Sequence, residues 1–382
     1  MKHVYIFSQN SLASDYGIGT YGEQLLSCLR QENVSVTTVI MGARQKEFSV
    51  DRKSEGWREI GIPSPDIPPL YLLQKEQYKR YCFSVCCLLT PHIQEADENV
   101  FHLNYVQQCF LAPLLHERYP HSRIVLSVHY VFTSDYQLPK EEVKSIDKVI
   151  CLSNYTYQKM SGDQQIPIDK LIYLPNGLAD SKMAISADRK EALRRSLGIE
   201  SQFPLFLYVG RLDVSKGITL LLKAFRMAYD VYPNMHLLIV GNGHFDQCLA
   251  QCSLDLRGIT FTGKVPKEEL SEIYQLANIG IHPSLNEQCS YVAIEMLMHG
   301  IPLIAYDSTG MREMIEDGRN GYKIPVSESD DENVASLVAY ILKSLEERKK
   351  WRRWKEESRC LYEERFTLDG MKNNVLHVYY NY

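Results

Sequence analysis

The sequence predicts an α/β protein built from two doubly wound domains with parallel sheets. Three observations predict it. Short apolar runs recur along the whole chain, most of them bounded by Gly, Pro, Asn or Ser. Segments with apolar residues at helical spacing alternate with these runs. A polar, charge-rich stretch from Asp180 to Ser201 separates two halves of similar length. Such alternation implies βαβ units and hence parallel sheets.

The strands expected in the first half are His3–Ser8, Ser35–Ile40, Asn99–Leu103, Ile124–Val128, Lys148–Leu152 and Leu171–Leu174. Those in the second half are Leu205–Val209, His236–Val240, Ile259–Thr262, Ile279–His282 and Pro302–Ala305. Helices are expected over Tyr21–Gln31, Arg189–Leu197, Leu220–Tyr232, Lys267–Ala277 and Val334–Glu347, each with apolar residues on one face. A further helix should start near Ser290, an acceptable N-cap. The expected domains are residues 1–180 and 181–361, with 362–382 crossing back onto the first. Ligands of such sheets bind beyond the carboxyl ends of the strands. Two facing domains would hold theirs in the cleft between them.

The 382 residues allow two or three domains at roughly 150 residues each. A net charge of −5, with Lys and Arg spread along the chain, excludes the basic footprint of a nucleic-acid protein. The ten cysteines contain no paired Cys-x-x-Cys motifs and several lie in apolar runs, so free thiols in a reducing compartment are expected, with a zinc site as the alternative. The N-terminal apolar run is too short for a signal peptide. No run reaches the eighteen or so apolar residues that a membrane span needs. A cytoplasmic protein is expected. Trp351 and Trp354, three apart among bases, offer either a peripheral contact with the inner membrane face or two tryptophans packing a solvated helix.

Four places could carry chemistry. In Tyr16-Gly17-Ile-Gly19-Thr-Tyr21 the glycines allow close approach of backbone to a ligand, at a loop expected just before a helix. The alternative is a flexible turn. In Gly210-Arg211-Leu-Asp-Val-Ser-Lys216-Gly217 two cations and a helix start converge where a strand ends. That combination suits a diphosphate leaving group, although a solvated basic turn has the same composition. Glu287 lies in the loop after the strand ending at His282, and Glu295 falls inside the apolar helix that follows. A carboxylate there needs a polar partner, which sugar or ribose hydroxyls or a nearby base could supply. His102 and His129 stand at strand ends, where catalytic and structural readings are both open.

Together these stretches resemble the retaining glycosyltransferases of family 4, which have the GT-B architecture of two facing Rossmann-like domains and a deep interdomain cleft. The resemblance is strongest from Leu205 to about Gly321. It rests on Gly210, Arg211, Lys216 and Gly217, on Glu287 and Glu295 with seven residues between them, on Gly310 and Glu313, on Pro175-Asn-Gly177 and on Val240-Gly-Asn-Gly243. The chain departs from the family at Gln288, Cys289 and Ser290, where Gly-Phe-Gly is usual. It departs also at Tyr130, where an acidic residue is frequent, and at Thr309, where Gly is usual.

The resemblance implies transfer of a hexosyl group from a nucleotide-diphosphate sugar, UDP- or GDP-linked, with retention of configuration. Arg211 and Lys216 would hold the diphosphate, and Glu295 the ribose. Glu287 and the backbone of Gln288, Cys289, Ser290 and Tyr291 would contact the donor sugar. Gly17 and Gly19 would face the diphosphate, with Gly210 beside it. His129 would lie near the transferred sugar, and Val265 would border the nucleobase. No Asp-x-Asp element accompanies these residues, so neither a metal nor another cofactor is expected. The acceptor is open among glycans, lipid-linked precursors, peptides and small molecules, within cell-surface polysaccharide or glycoconjugate synthesis. A sugar-nucleotide epimerase, a phosphorylase with pyridoxal phosphate on a lysine, and a non-catalytic sugar-nucleotide-binding protein are the rival readings on the same architecture.

Overall fold

A computed structural model describes residues 2–9, 17–32, 34–43, 47–64, 70–94, 98–130, 138–251 and 255–380. Tyr16 and Cys252 therefore lie outside the described residues. The chain divides into two compact units, Met1–Gly177 with Leu368–Tyr382, and Leu178–Thr367. The helix Trp351–Arg365 runs on past residue 361 within the second unit, and the return to the first begins at Leu368.

The first unit is built on β1 (Lys2–Gln9), β2 (Ser35–Ala43), β3 (Ser49–Ser54), β4 (Trp57–Pro63), β5 (Glu98–Leu103), β6 (Arg123–Val128), β7 (Lys148–Cys151) and β8 (Leu171–Tyr173). Their order in the sheet is β3-β4-β2-β1-β5-β6-β7-β8. All neighbours are parallel except the β3–β4 hairpin. That hairpin is absent from the expected strands. Its outer strand, Ser-Val-Asp-Arg-Lys-Ser, has no apolar period, because an edge strand buries neither face. The C-terminal helix Leu368–Tyr380 packs on the helix Gly17–Arg30.

The second unit contains β9 (Leu205–Val209), β10 (His236–Val240), β11 (Ile259–Gly263), β12 (Ile279–His282), β13 (Leu303–Tyr306) and β14 (Gly321–Ile324). They form one wholly parallel sheet in the order β11-β10-β9-β12-β13-β14. Every residue of β9, β10, β12 and β13 is buried, as a sheet covered by helices on both faces requires. The chain starts at β9, adds β10 and β11 on one side, then crosses to β12 on the other. The gap between β9 and β12 is therefore the switch point of the sheet.

Trp354 and Trp351 lie in the second unit's core, at 1% and 9% exposure. Their indole N–H groups donate to the carbonyls of Gly318 and Ser344, each at 2.9 Å. Packing is therefore their role, and the membrane contact considered for them is excluded by burial. Among the described residues, no helix is long and apolar enough to cross a membrane. All nine described cysteines are free.

Candidate active site

The site in the second unit is assembled from three loops at the carboxyl edge of β9, β12 and β13. The loops after β9 and β13 are each pressed against the loop after β12 at a glycine, Gly217 and Gly310, where an added Cβ would clash with backbone. After β9 the chain passes Gly210 and Arg211, and Asp213 caps the short turn Val214–Lys216 by accepting from the Lys216 N–H at 3.2 Å. Gly217 then takes φ +70°, and a Cβ on it would stand 1.9 Å from the Pro283 carbonyl oxygen. The turn is thus pressed against the loop that follows β12. On its other side it is stitched to the Gly241–Gly243 segment, through Leu212 N–H donating to Asn242 O at 2.9 Å and His244 N–H donating to Leu212 O at 2.8 Å.

The result is a contact between residues 71 apart in sequence: Lys216 Nζ lies 2.5 Å from Glu287 Oε1. Arg211 Nη1 sits 3.2 Å from Asp213 Oδ2 and is 40% exposed, so a guanidinium faces solvent near the part-buried Lys216–Glu287 pair. Burial pushes the Glu287 carboxyl up. The neighbouring His282 and Lys216 side chains outweigh burial and hold it at about 2. Glu287 is therefore an ionised carboxylate at neutral pH.

The Glu287 backbone is held as firmly as its side chain. Its N–H donates to Thr309 Oγ1 at 2.9 Å, and its carbonyl accepts from the Thr309 hydroxyl at 2.5 Å and from the Gly310 N–H at 2.8 Å. Thr309 takes φ +32°, an uncommon conformation for a β-branched residue that costs on the order of 1–3 kcal/mol. Its hydroxyl makes two bonds that the Gly usual at this position could not make, which accounts for this departure from the family pattern.

The helix Tyr291–Met298 starts where expected, with Ser290 capping it by accepting from the Ala293 N–H at 3.3 Å. Gln288, Cys289, Ser290 and Tyr291 are all buried at this helix start. Glu295 has the polar partner that its apolar helix demands, since Tyr274 donates to Glu295 Oε2 at 2.6 Å. Burial raises the Glu295 carboxyl, and the Tyr274 bond and Lys267 only partly offset this. Val265 is half-buried in the turn between β11 and the helix Lys267–Tyr274.

In the first unit, Gly17 and Gly19 belong to the first turn of the helix Gly17–Arg30 rather than to a loop before it. His129 follows β6, with its ring 4.6 Å from that of Tyr21 at 72°. Its Nε2 is buried without a hydrogen-bond partner, and burial lowers its pKa to about 3. His102 is structural. Its Nε2 is bonded to Ser127 Oγ at 2.7 Å, and its Nδ1 to the Tyr379 hydroxyl of the C-terminal helix. Ser127 Oγ in turn lies 2.9 Å from the Tyr21 hydroxyl.

Sequence reasoning missed Asp213, Tyr274, His282 and Thr309. Only Asp213 had a local signal, as the capping residue before a turn that ends in Gly.

Loops gathered at the switch point of a doubly wound sheet, with cations beside an ionised carboxylate, define a ligand-binding α/β protein. Residues 189–359 match the family model of glycosyl transferases group 1. An uncharacterized glycosyltransferase of Methanocaldococcus jannaschii is 28% identical over 179 residues, 46% of this chain and 46% of the relative. The match spans about half the length of such curated relatives. Among solved structures, sucrose-phosphate synthase from Thermosynechococcus elongatus superposes with a TM-score of 0.79 at 19% identity, over 99% of this chain and 98% of that one. Anabaena HepE in complex with UDP gives 0.73 at 15% identity, over 99% of both chains. The fold is the GT-B architecture.

Proposed function

We propose that the chain is a glycosyltransferase that moves a hexosyl group from a UDP- or GDP-linked sugar to an acceptor, with retention and without a metal. One observation carries this reading: the 2.5 Å contact of Lys216 with Glu287, beside the solvent-facing Arg211, at the switch point of the second sheet. Breaking a glycosyl–phosphate bond builds negative charge on the departing diphosphate. A guanidinium and an ammonium held at the site stabilise that charge. Glu287, ionised and rigidly held, stands ready to face an oxocarbenium-like sugar. Glu295 keeps one carboxylate oxygen on Tyr274 and has acceptor capacity left for ribose hydroxyls. A neighbour of the same fold, HepE, is known in complex with UDP, which supports a nucleotide ligand.

A thermal-shift screen over UDP, GDP, ADP and their sugars tests the reading. A ligand at 100 times its dissociation constant stabilises by about 2.7 kcal/mol. Stabilisation by one nucleotide series, lost in Arg211→Ala and Lys216→Ala, is expected. No response to any of them would sink the proposal. Interconversion of the donor without an acceptor would instead make the protein an epimerase.

A further inference from the structure

His282 ends β12 at 5% exposure, and neither of its ring nitrogens has a hydrogen bond. Buried polar groups are rarely left so. Its Nε2 stands 3.5 Å from Glu287 Oε1, the oxygen that Lys216 Nζ holds at 2.5 Å. That is just outside normal hydrogen-bond range.

We propose that His282 is a positioning residue that takes hold of the Glu287 carboxylate when Lys216 is drawn off to a ligand's phosphate. The proposal rests on the phosphate-binding role given to Lys216 above. Three features lead to it. The Glu287 backbone is pinned by Thr309 and Gly310, so only its side chain can turn. Moving Oε1 by about 0.7 Å closes a normal bond to His282. Lys216, at 28% exposure on a flexible stem, is the mobile partner, whereas Glu287 is only 15% exposed and needs a replacement when the ammonium leaves. The cations on the flanking loops are engaged elsewhere: Arg211 with Asp213 after β9, and Arg312 with Asp307 after β13. His282 is buried against this carboxylate from β12, and Tyr208 of β9, the other buried titratable group near it, has its hydroxyl engaged by the Arg211 carbonyl.

The test is a histidine NMR titration of the full chain, with the His282 signal assigned as the one missing in His282→Gln. Lys216→Met imitates departure of the ammonium. It should raise the proton affinity of His282 at least about threefold, and in a Glu287→Gln background the same substitution should have much less effect. Loss of the Lys216 charge acts directly in both backgrounds, so the difference between them reads the transfer. Saturating UDP or GDP should reproduce the rise in the wild type. A Lys216→Met effect of equal size in both backgrounds overturns the inference, whatever the nucleotides do. Coupling that holds while no nucleotide moves any signal supports His282 as the holder of Glu287 and sinks the phosphate role of Lys216.

Discussion

Gly310 lies directly against the Gln288 carbonyl: a Cβ on it would stand 1.6 Å from that oxygen. The same glycine donates its N–H to the Glu287 carbonyl. The segment after β13 is thereby the support on which the carboxylate loop rests.

Gly310→Ala should therefore displace that loop, since the opposing atoms are backbone and cannot give way. A loss of more than about 3 kcal/mol in urea unfolding is expected, together with loss of any nucleotide-induced thermal shift. Gly22→Ala is the control. It lies inside a helix with nothing within 4 Å of the added Cβ, and should stabilise by about 0.5–1 kcal/mol.

Arg211→Ala and Lys216→Ala should each lower kcat about a hundredfold or more, the effect of removing one preorganised charge contact. Steady-state rates with the donor identified in the screen decide this. A loss below about threefold in both variants would refute the clamp.

Glu287 should mark the acid limb of stability. Its carboxyl is held at about 2, below the ordinary value of 4.5, so its stabilising contribution is present above pH 4.5 and lost as pH falls towards 2. The shift corresponds to about 3 kcal/mol at most. Unfolding curves of wild type and Glu287→Gln should differ most near pH 6 and converge through this window. A gap that is constant with pH contradicts the ion pairing.

Tyr379→Phe removes the hydroxyl that bonds His102 Nδ1 and leaves that nitrogen buried without a partner. A loss of about 1–3 kcal/mol is expected. Hydrogen exchange should accelerate first in the helix Leu368–Tyr380, which this bond ties to β5.

Trp354→Ala should cost about 3–5 kcal/mol, because the side chain fills the core and its indole N–H satisfies Gly318 O. Flotation with lipid vesicles should be the same for the variant and the wild type.

Much of this was legible in the sequence wherever burial is symmetrical. Leu205–Val209 and His236–Val240 are apolar runs because both faces of their sheet are covered, and their bounds were readable to the residue. The edge strand β3 was not, since charged residues on an exposed edge carry no period. β14 was missed because four residues, one of them Lys323, are too few to set a pattern. In the site, Arg211, Lys216, Glu287 and Glu295 were readable as residue types at telling places. The Thr309 bonds to Glu287 span 22 residues, and the Lys216 contact spans 71. Such pairs depend on which strands become neighbours, and local spacing does not encode that.

The outermost strand of the first sheet carries Asp51, Arg52 and Lys53 in succession. A second chain that approached this rim would have to strip water from three charges before gaining any backbone bond. Strand addition, and with it fibril growth, is therefore disfavoured at this flank of the first sheet.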